Sequence, residues 1–325
     1  MKRRILGLLT LIGMMTLIIV AAGCASDGAK TATESNQKVT LKIGYLPITH
    51  SLPLAVSEKL DGEKFKNLRL ELVKFASWPE LTEALNSGQL DGAVTMGEIA
   101  LTSKSKGVPL KFLLFSHREG DNLVVKKDIN SVSDLQGKTV GIPHRLSGHN
   151  ILLYKALKEA GINYSEVNTR EIPPPDMMGA LSRGEIDGYI VAEPFGTQSV
   201  IGGQSKILLK AGDIWPDWVC CGLVLRDEVT KKSPQAVQEL VDSLVSSGKF
   251  ADSNKPEAVK TAVEKFNAKP DLWAKALDNI KFSNLGPDKK DLETLQNSLI
   301  EMNLLKEPVN LEEFIDISFA EKANS

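Results

Sequence analysis

Leu85-Asn86-Ser87-Gly88-Gln89-Leu90-Asp91-Gly92 is echoed further along the chain by Leu181-Ser182-Arg183-Gly184-Glu185-Ile186-Asp187-Gly188. Each phrase reads as a helix C-terminus closed by a glycine cap and leading into a buried strand. Similar elements surround both copies. Ahead of the first, Val39–Tyr45 reads as a β-branched strand and Ser51-Leu52-Pro53 as the start of a helix to about Lys59. Leu68–Phe75 alternates as a second strand, and Ser77-Trp78-Pro79-Glu80 opens a helix with a capping box. Gly92–Thr95 is a short buried strand, followed by a helix from about Glu98 to Lys104 and a strand at Leu110–Phe115. Such a βαβαβαβ series builds a mostly parallel sheet with helices on both faces.

The series then repeats. Strands are expected at Asn122–Val125, Thr139–Ile142, Val167–Glu171, Gly188–Val191, Lys206–Leu209 and Gly222–Leu225. Ser147 caps a helix running to Ala160, and Pro175–Ser182 is another. After Arg226 only helical patterns remain. Two similar α/β units imply two lobes: residues 39–127 with 222–325 form the first, and residues 128–221 are inserted as the second. Ligands bind open α/β sheets beyond the carboxyl ends of the strands. Two lobes can turn those ends toward one another across a cleft, with the two crossover segments as a hinge.

Composition sets the class. The 325 residues carry 39 Lys+Arg against 41 Asp+Glu, a net charge of −2, with 42% apolar and 25% charged residues. This is ordinary for a soluble globular protein and excludes a disordered, fibrous or polytopic membrane chain. It also lacks the basic surplus of a nucleic-acid binder. The first thirty residues differ. Lys2, Arg3 and Arg4 precede an uncharged, mostly apolar run, Ile5–Gly23, that ends in Ala21-Ala22-Gly23-Cys24. This reads as an export signal over 1–23, with Cys24 acylated and residues 24–38 as a tether. An uncleaved membrane anchor is the alternative. Either places the remainder on the extracytoplasmic face of the cell membrane. The mature chain keeps Cys220 and Cys221, whose adjacency strains any disulfide between them. They are expected to be free thiols or ligands.

The candidate site residues follow strands. Thr49 and His50 follow the first, ahead of a helix N-terminus whose free N–H groups favour an anion or polar group. Trp78 follows the second and offers a flat apolar wall. Thr95 and Glu98 follow the third, and His117 the fourth. In the second lobe His144, Ser147 and His149 sit where a strand feeds a helix, and Glu193 ends a buried strand. All four histidines thus fall at strand ends, and Cys220 and Cys221 begin the returning strand. Imidazole and thiolate are the natural ligands of transition metals, so His50, His117, Cys220 and Cys221 form a candidate set. No tight Cys-x-x-Cys or His-x-x-x-His spacing supports it. The favoured expectation is therefore histidines hydrogen-bonded to an organic or oxyanion ligand, with the cysteines as small buried strand residues. Gly-x-Ser-x-Gly, His-Glu-x-x-His and phosphate-loop motifs are absent, which argues against an enzyme.

Ile43-Gly44-Tyr45-Leu46-Pro47, the run Trp78–Ala93, Leu123–Asp128, Asp134–Pro143, Pro173-Pro174-Pro175 and Ala192-Glu193-Pro194-Phe195 carry a resemblance. The chain resembles solute-binding lipoproteins of ABC-type importers, in the nitrate/bicarbonate/sulfonate/taurine group that includes thiamine-pyrimidine binders. The resemblance implies a two-lobed, type II periplasmic-binding-protein-like fold. It further implies a monomer without a cofactor that captures a nitrate-, sulfonate- or bicarbonate-type anion and delivers it to an ABC permease with its ATPase. A thiamine-precursor pyrimidine or a transition metal is the alternative cargo. Thiamine-pyrimidine synthase, of similar fold, carries a longer run of iron-binding cysteines where Cys220 and Cys221 stand.

Overall fold

The computed structural model describes residues 38–324; the expected signal segment and Cys24 lie outside them. Its strands are β1 (Val39–Tyr45), β2 (Leu68–Lys74), β3 (Gly92–Met96), β4 (Leu110–Phe115), β5 (Arg118–Glu119) and β6 (Asp121–Lys126). They continue with β7 (Thr139–Ile142), β8 (Asn168–Glu171), β9 (Gly188–Ala192), β10 (Ser205–Lys210), β11 (Cys221–Arg226) and β12 (Ile280–Lys281). One sheet has the order β2-β1-β3-β11-β4 and the other β10-β6-β9-β7-β8, while β5 pairs with β12. In each sheet one strand runs against the other four: β11 against β3 and β4, and β6 against β9 and β10. The α/β architecture with mostly parallel sheets is therefore present, with one reversed strand per lobe. The strand expected to close the first lobe instead belongs to the second sheet, because Asp121–Lys126 pairs only with β9 and β10. β3 and β9 are buried along their whole length, as central strands covered on both faces must be.

The repeated phrase builds the same joint twice. Gly88 and Gly184 have φ of 80° and 73°, the left-handed conformation that glycine adopts most cheaply. Gln89 N–H donates to Ala84 O and Glu185 N–H to Ala180 O, each at 3.0 Å. Asp91 Oδ2 then accepts from Lys42 N–H at 2.8 Å, and Asp187 Oδ2 from Thr139 N–H at 3.0 Å. Their carbonyls accept from Arg226 N–H and Lys126 N–H. In each lobe the phrase thus ties a helix end, the first parallel strand and the reversed strand together.

The helices that matter to the site are α1 (Leu52–Asp61), α2 (Trp78–Asn86), α3 (Gly97–Ser105), α4 (Gly148–Glu159), α5 (Pro174–Ser182) and α6 (Phe195–Ile201). The C-terminal helices cover the first lobe, where Leu52 and Val56 pack with Ala258 and Trp273. The two crossovers run side by side. Arg118 and Val219 form an antiparallel bridge, and Glu119 N–H donates to Trp218 O at 3.0 Å. Among the described residues no helix is long and apolar enough to cross a membrane.

Candidate functional site

The parallel strands end, and the reversed strands begin, at the edge where the lobes meet. A 3₁₀ turn, Thr49–Ser51, follows β1 and buries His50. His117 lies on the outgoing crossover, Cys221 at the start of β11 with Cys220 just before it, Asp121 at the start of β6, and His149 in the first turn of α4. All six are buried.

Their contacts fix the imidazoles. His117 Nδ1 lies 2.9 Å from Glu119 O, and a carbonyl only accepts, so Nδ1 carries the proton. Nε2 is then the lone-pair nitrogen, and it accepts from Cys221 N–H at 3.3 Å. His50 Nε2 faces Asp121 Oδ1 at 3.3 Å and Gly120 O at 3.5 Å, again acceptors. Its Nδ1 faces Cys221 Sγ at 3.4 Å. The two rings stack with centroids 3.5 Å apart, and Cys220 Sγ lies 3.7 Å from Cys221 Sγ. Asp121 Oδ2 accepts from Trp218 Nε1–H at 2.6 Å. His149 Nε2 approaches Asp121 Oδ1 to 2.8 Å without the alignment of a hydrogen bond.

Several buried polar groups here have no hydrogen-bond partner: both Glu98 carboxylate oxygens, the Thr95 and Ser116 hydroxyls and both His149 ring nitrogens. Buried polar atoms are nearly always satisfied in folded proteins, so such a concentration calls for a further partner, water or ligand. A void of about 10 Å³ borders His50 and Ser116 but is otherwise lined by apolar side chains of the first lobe such as Leu54, Val94 and Leu223, so it is not a space within the cluster.

The charges in this cluster answer one another. Burial opposes a charged His50, but Asp121 and the Cys221 thiolate outweigh it and push the imidazole up to about 10. Burial likewise opposes ionisation of Cys221, yet Cys220, His50 and His117 hold its thiol well below the usual range. Burial pushes Cys220 up, aided by the neighbouring thiolate. Burial lowers His117, as does the charge on His50. Against the cost of burial, the imidazoles of His149 and His50 keep Asp121 well below the carboxylate range. Glu98 is pushed well above it, first by burial. The groups acting on the cluster are thus its own members. Arg118, the nearest cation in sequence, turns to Asn284 O and Asp217 O, each at 2.9 Å, and to Asp291.

The structure brings His50, Glu98, His117, His149, Cys220 and Cys221 together, with Thr95 at the end of β3. Ser147 caps α4 through Asn150 N–H at 3.2 Å. Thr49 and Glu193 form a clasp between lobes: the Thr49 N–H and hydroxyl donate to Glu193 O at 3.1 and 2.9 Å. The Glu193 carboxylate is occupied by Asn122, Thr197 and Asn279, so it faces partners of its own rather than the cluster. Trp78 packs into the first lobe's core instead of forming a cleft wall, because the α2 apolar face draws it inward. His144 accepts from Leu146 N–H at 3.0 Å and steadies its own turn, apart from the other three histidines. Asp121 and Trp218 escaped the sequence reading. The search followed strand carboxyl ends, whereas a reversed strand brings its first residues to the same edge.

The NMT1-like family model matches residues 34–266. The nitrate import ATP-binding protein NrtC of Synechocystis sp. is 28% identical over 240 residues, 67% of this chain and 36% of that protein. The chain therefore spans about a third of that relative's length. The nitrate/nitrite binding protein NrtA of Nostoc sp. is 24% identical over 314 residues, 82% of this chain and 71% of that one. Among solved structures, the ligand-binding component of an ABC-type import system from Staphylococcus aureus, crystallised with zinc bound, is 33% identical. It superposes with a TM-score of 0.83, covering 88% of this chain and 99% of that one.

Proposed function

The chain belongs to the NMT1-like family, and on that premise we propose that it is the solute-binding component of an ABC-type importer whose cargo is a small cation. It works outside the cytoplasmic membrane, anchored through acylated Cys24, and hands its cargo unchanged to a permease driven by an ATPase. Two lobes joined by paired crossovers, with a Thr49–Glu193 clasp between them, suit capture by closure. The observation that carries the cargo reading is the lining: two thiols, two carboxyls and three imidazoles, with neither lysine nor arginine among their partners in the described residues. Thiols and imidazoles are the donor types of transition ions, and a bound ion would take the place of the proton that His50 carries beside Cys221 and Asp121. The Staphylococcus aureus relative, with its bound zinc, supports the same reading.

A second reading, capture of a nitrate- or sulfonate-type anion, is favoured by the nitrate-related relatives and by the unpartnered Thr95 and Ser116 hydroxyls. One experiment separates them. Residues 24–325 are purified under reducing conditions and weighed by native mass spectrometry before and after denaturation. They are then titrated calorimetrically with zinc, nitrate, taurine and an alkanesulfonate. Uptake of zinc but of none of the anions is expected. Tight uptake of an anion, with no metal retained, overturns the cation reading.

A further inference from the structure

We propose, resting on the reading of this site as a cargo site, that the cargo is a thiophilic divalent ion of the zinc class. Its four ligands are His50, His117, Cys220 and Cys221, and the second lobe closes over it through Asp121 without contributing a ligand.

Two of the donor separations match the edges of one tetrahedron. Bonds of about 2.3 Å to sulfur and about 2.05 Å to nitrogen put two sulfurs about 3.8 Å apart and a sulfur and a nitrogen about 3.5 Å apart. The observed separations are 3.7 Å between the sulfurs and 3.4 Å from His50 Nδ1 to Cys221 Sγ. The four candidate atoms lie within 4.8 Å of one another. Two thiolates and two neutral imidazoles cancel a double positive charge, so the buried complex carries no net charge. Thiolate donors select soft or borderline ions over magnesium and calcium.

The imidazoles are already turned for the task. Each directs its N–H at an oxygen, His117 at Glu119 O and His50 at Asp121; His50 Nδ1 is then turned to Cys221 Sγ, and His117 Nε2 to the Cys221 backbone N–H, a 3.3 Å contact that an ion would have to displace. A carbonyl or carboxylate behind a histidine is the usual outer support of a metal-bound imidazole. The division between lobes follows from the topology. His50 follows β1, Cys221 opens β11 of the same sheet, Cys220 precedes it, and His117 lies on the crossover. Asp121 opens β6 and His149 stands in α4, both in the second lobe. Asp121, His149 and Cys220 form a rival donor group, but it supplies three atoms, and Asp121 is already held by Trp218. In this assignment Asp121 and His149 are positioning residues. When the ion fixes His50 Nδ1, its Nε2–H becomes an obligatory donor, and Asp121 carries the second lobe onto it.

The test uses residues 24–325 with zinc, and with cobalt as a spectroscopic substitute. Wild type should bind one ion per chain and show a thiolate-to-cobalt charge-transfer band with tetrahedral visible bands. Cys221→Ser and His117→Ala should abolish binding. Asp121→Asn and His149→Ala should weaken it about 10- to 100-fold with the cobalt spectrum unchanged. At saturating zinc, small-angle scattering should show compaction of wild type but not of Asp121→Asn. Circular dichroism identifies a variant that has not folded, and the wild-type cobalt spectrum tests the thiolates without any substitution. A cobalt complex lacking the thiolate band, or His149→Ala losing the ion as completely as Cys221→Ser, overturns the ligand set. Compaction of Asp121→Asn like wild type overturns the closing role. A wild type that binds an anion and no metal refutes the cation reading itself, a separate result.

Discussion

Gly148, the first residue of α4 in the second lobe, lies against Glu98 in the first turn of α3 in the first lobe. A Cβ on residue 148 would overlap the Glu98 carboxylate and come within 2.6 Å of the Trp218 ring. The lobes therefore meet at a point that admits no side chain. Burial holds the Glu98 carboxyl toward its neutral form, so the contact does not press a bare charge into the seam.

Gly148→Val is expected to prop the lobes apart while leaving each lobe folded. The two helix starts cannot approach, and Trp218 is hemmed in by Asp121. Small-angle scattering of cargo-loaded protein should give a larger radius of gyration than wild type, with cargo affinity at least tenfold weaker. A variant as compact as wild type would show that the seam can shift without cost.

Thr49→Val tests the clasp. The substitution keeps the shape of the side chain and removes the hydroxyl that donates to Glu193 O, leaving the Thr49 N–H bond in place. One such buried hydrogen bond contributes about 1 kcal/mol. If it exists only between closed lobes, cargo affinity falls about fivefold through faster release, with little change in the association rate. Stopped-flow kinetics separates the two. An equal loss of thermal stability with and without cargo would instead make the bond a constant of the fold.

Both lobes were legible in the sequence because each uses the same local chemistry. The glycine caps at Gly88 and Gly184, and the aspartates three residues on, are backbone requirements that a sequence states openly. His50, Glu98, His117 and His149 were equally readable, since each follows a parallel strand. The ligand chemistry was less so. His50 and Cys221 are far apart in sequence, and their pairing depends on β11 entering the first sheet in reverse. Spacing rules for metal sites look for neighbours on one helix or loop and find none here. Trp78 misled for a related reason: position after a strand does not tell which way an N-terminal helical residue points.

Asp187 gives a pH-dependent prediction away from the cargo site. Burial alone would raise its carboxyl, but the Lys126 ammonium at 2.7 Å and the Thr139 N–H outweigh that and hold it below the usual range. A carboxylate depressed in the folded state stabilises the protein above its unfolded value of about 3.9. That contribution is lost as pH falls through the folded value. Asp187→Asn should therefore melt below wild type at pH 7, by an amount on the order of 1 kcal/mol given its partial exposure. The gap should close as the pH is lowered below the unfolded value and through the folded one. A gap that persists unchanged in acid would assign the loss to the Thr139 hydrogen bond alone.

Cargo should also hold the fold together, since the four donors join β1's turn, the crossover and β11. A ligand that binds only the folded chain adds about 2.7 kcal/mol at a hundred times its dissociation constant. Zinc at that excess should raise the melting temperature by several degrees, and a chelator should return it to the starting value. Binding must also displace protons from any thiol or imidazolium among the donors, so affinity should fall as the solution is acidified. Calorimetry at one pH in two buffers of different ionisation enthalpy counts those protons directly. A thermal shift that zinc produces equally in wild type and in the Cys220→Ser, Cys221→Ser double variant would place the stabilising ion elsewhere on the molecule.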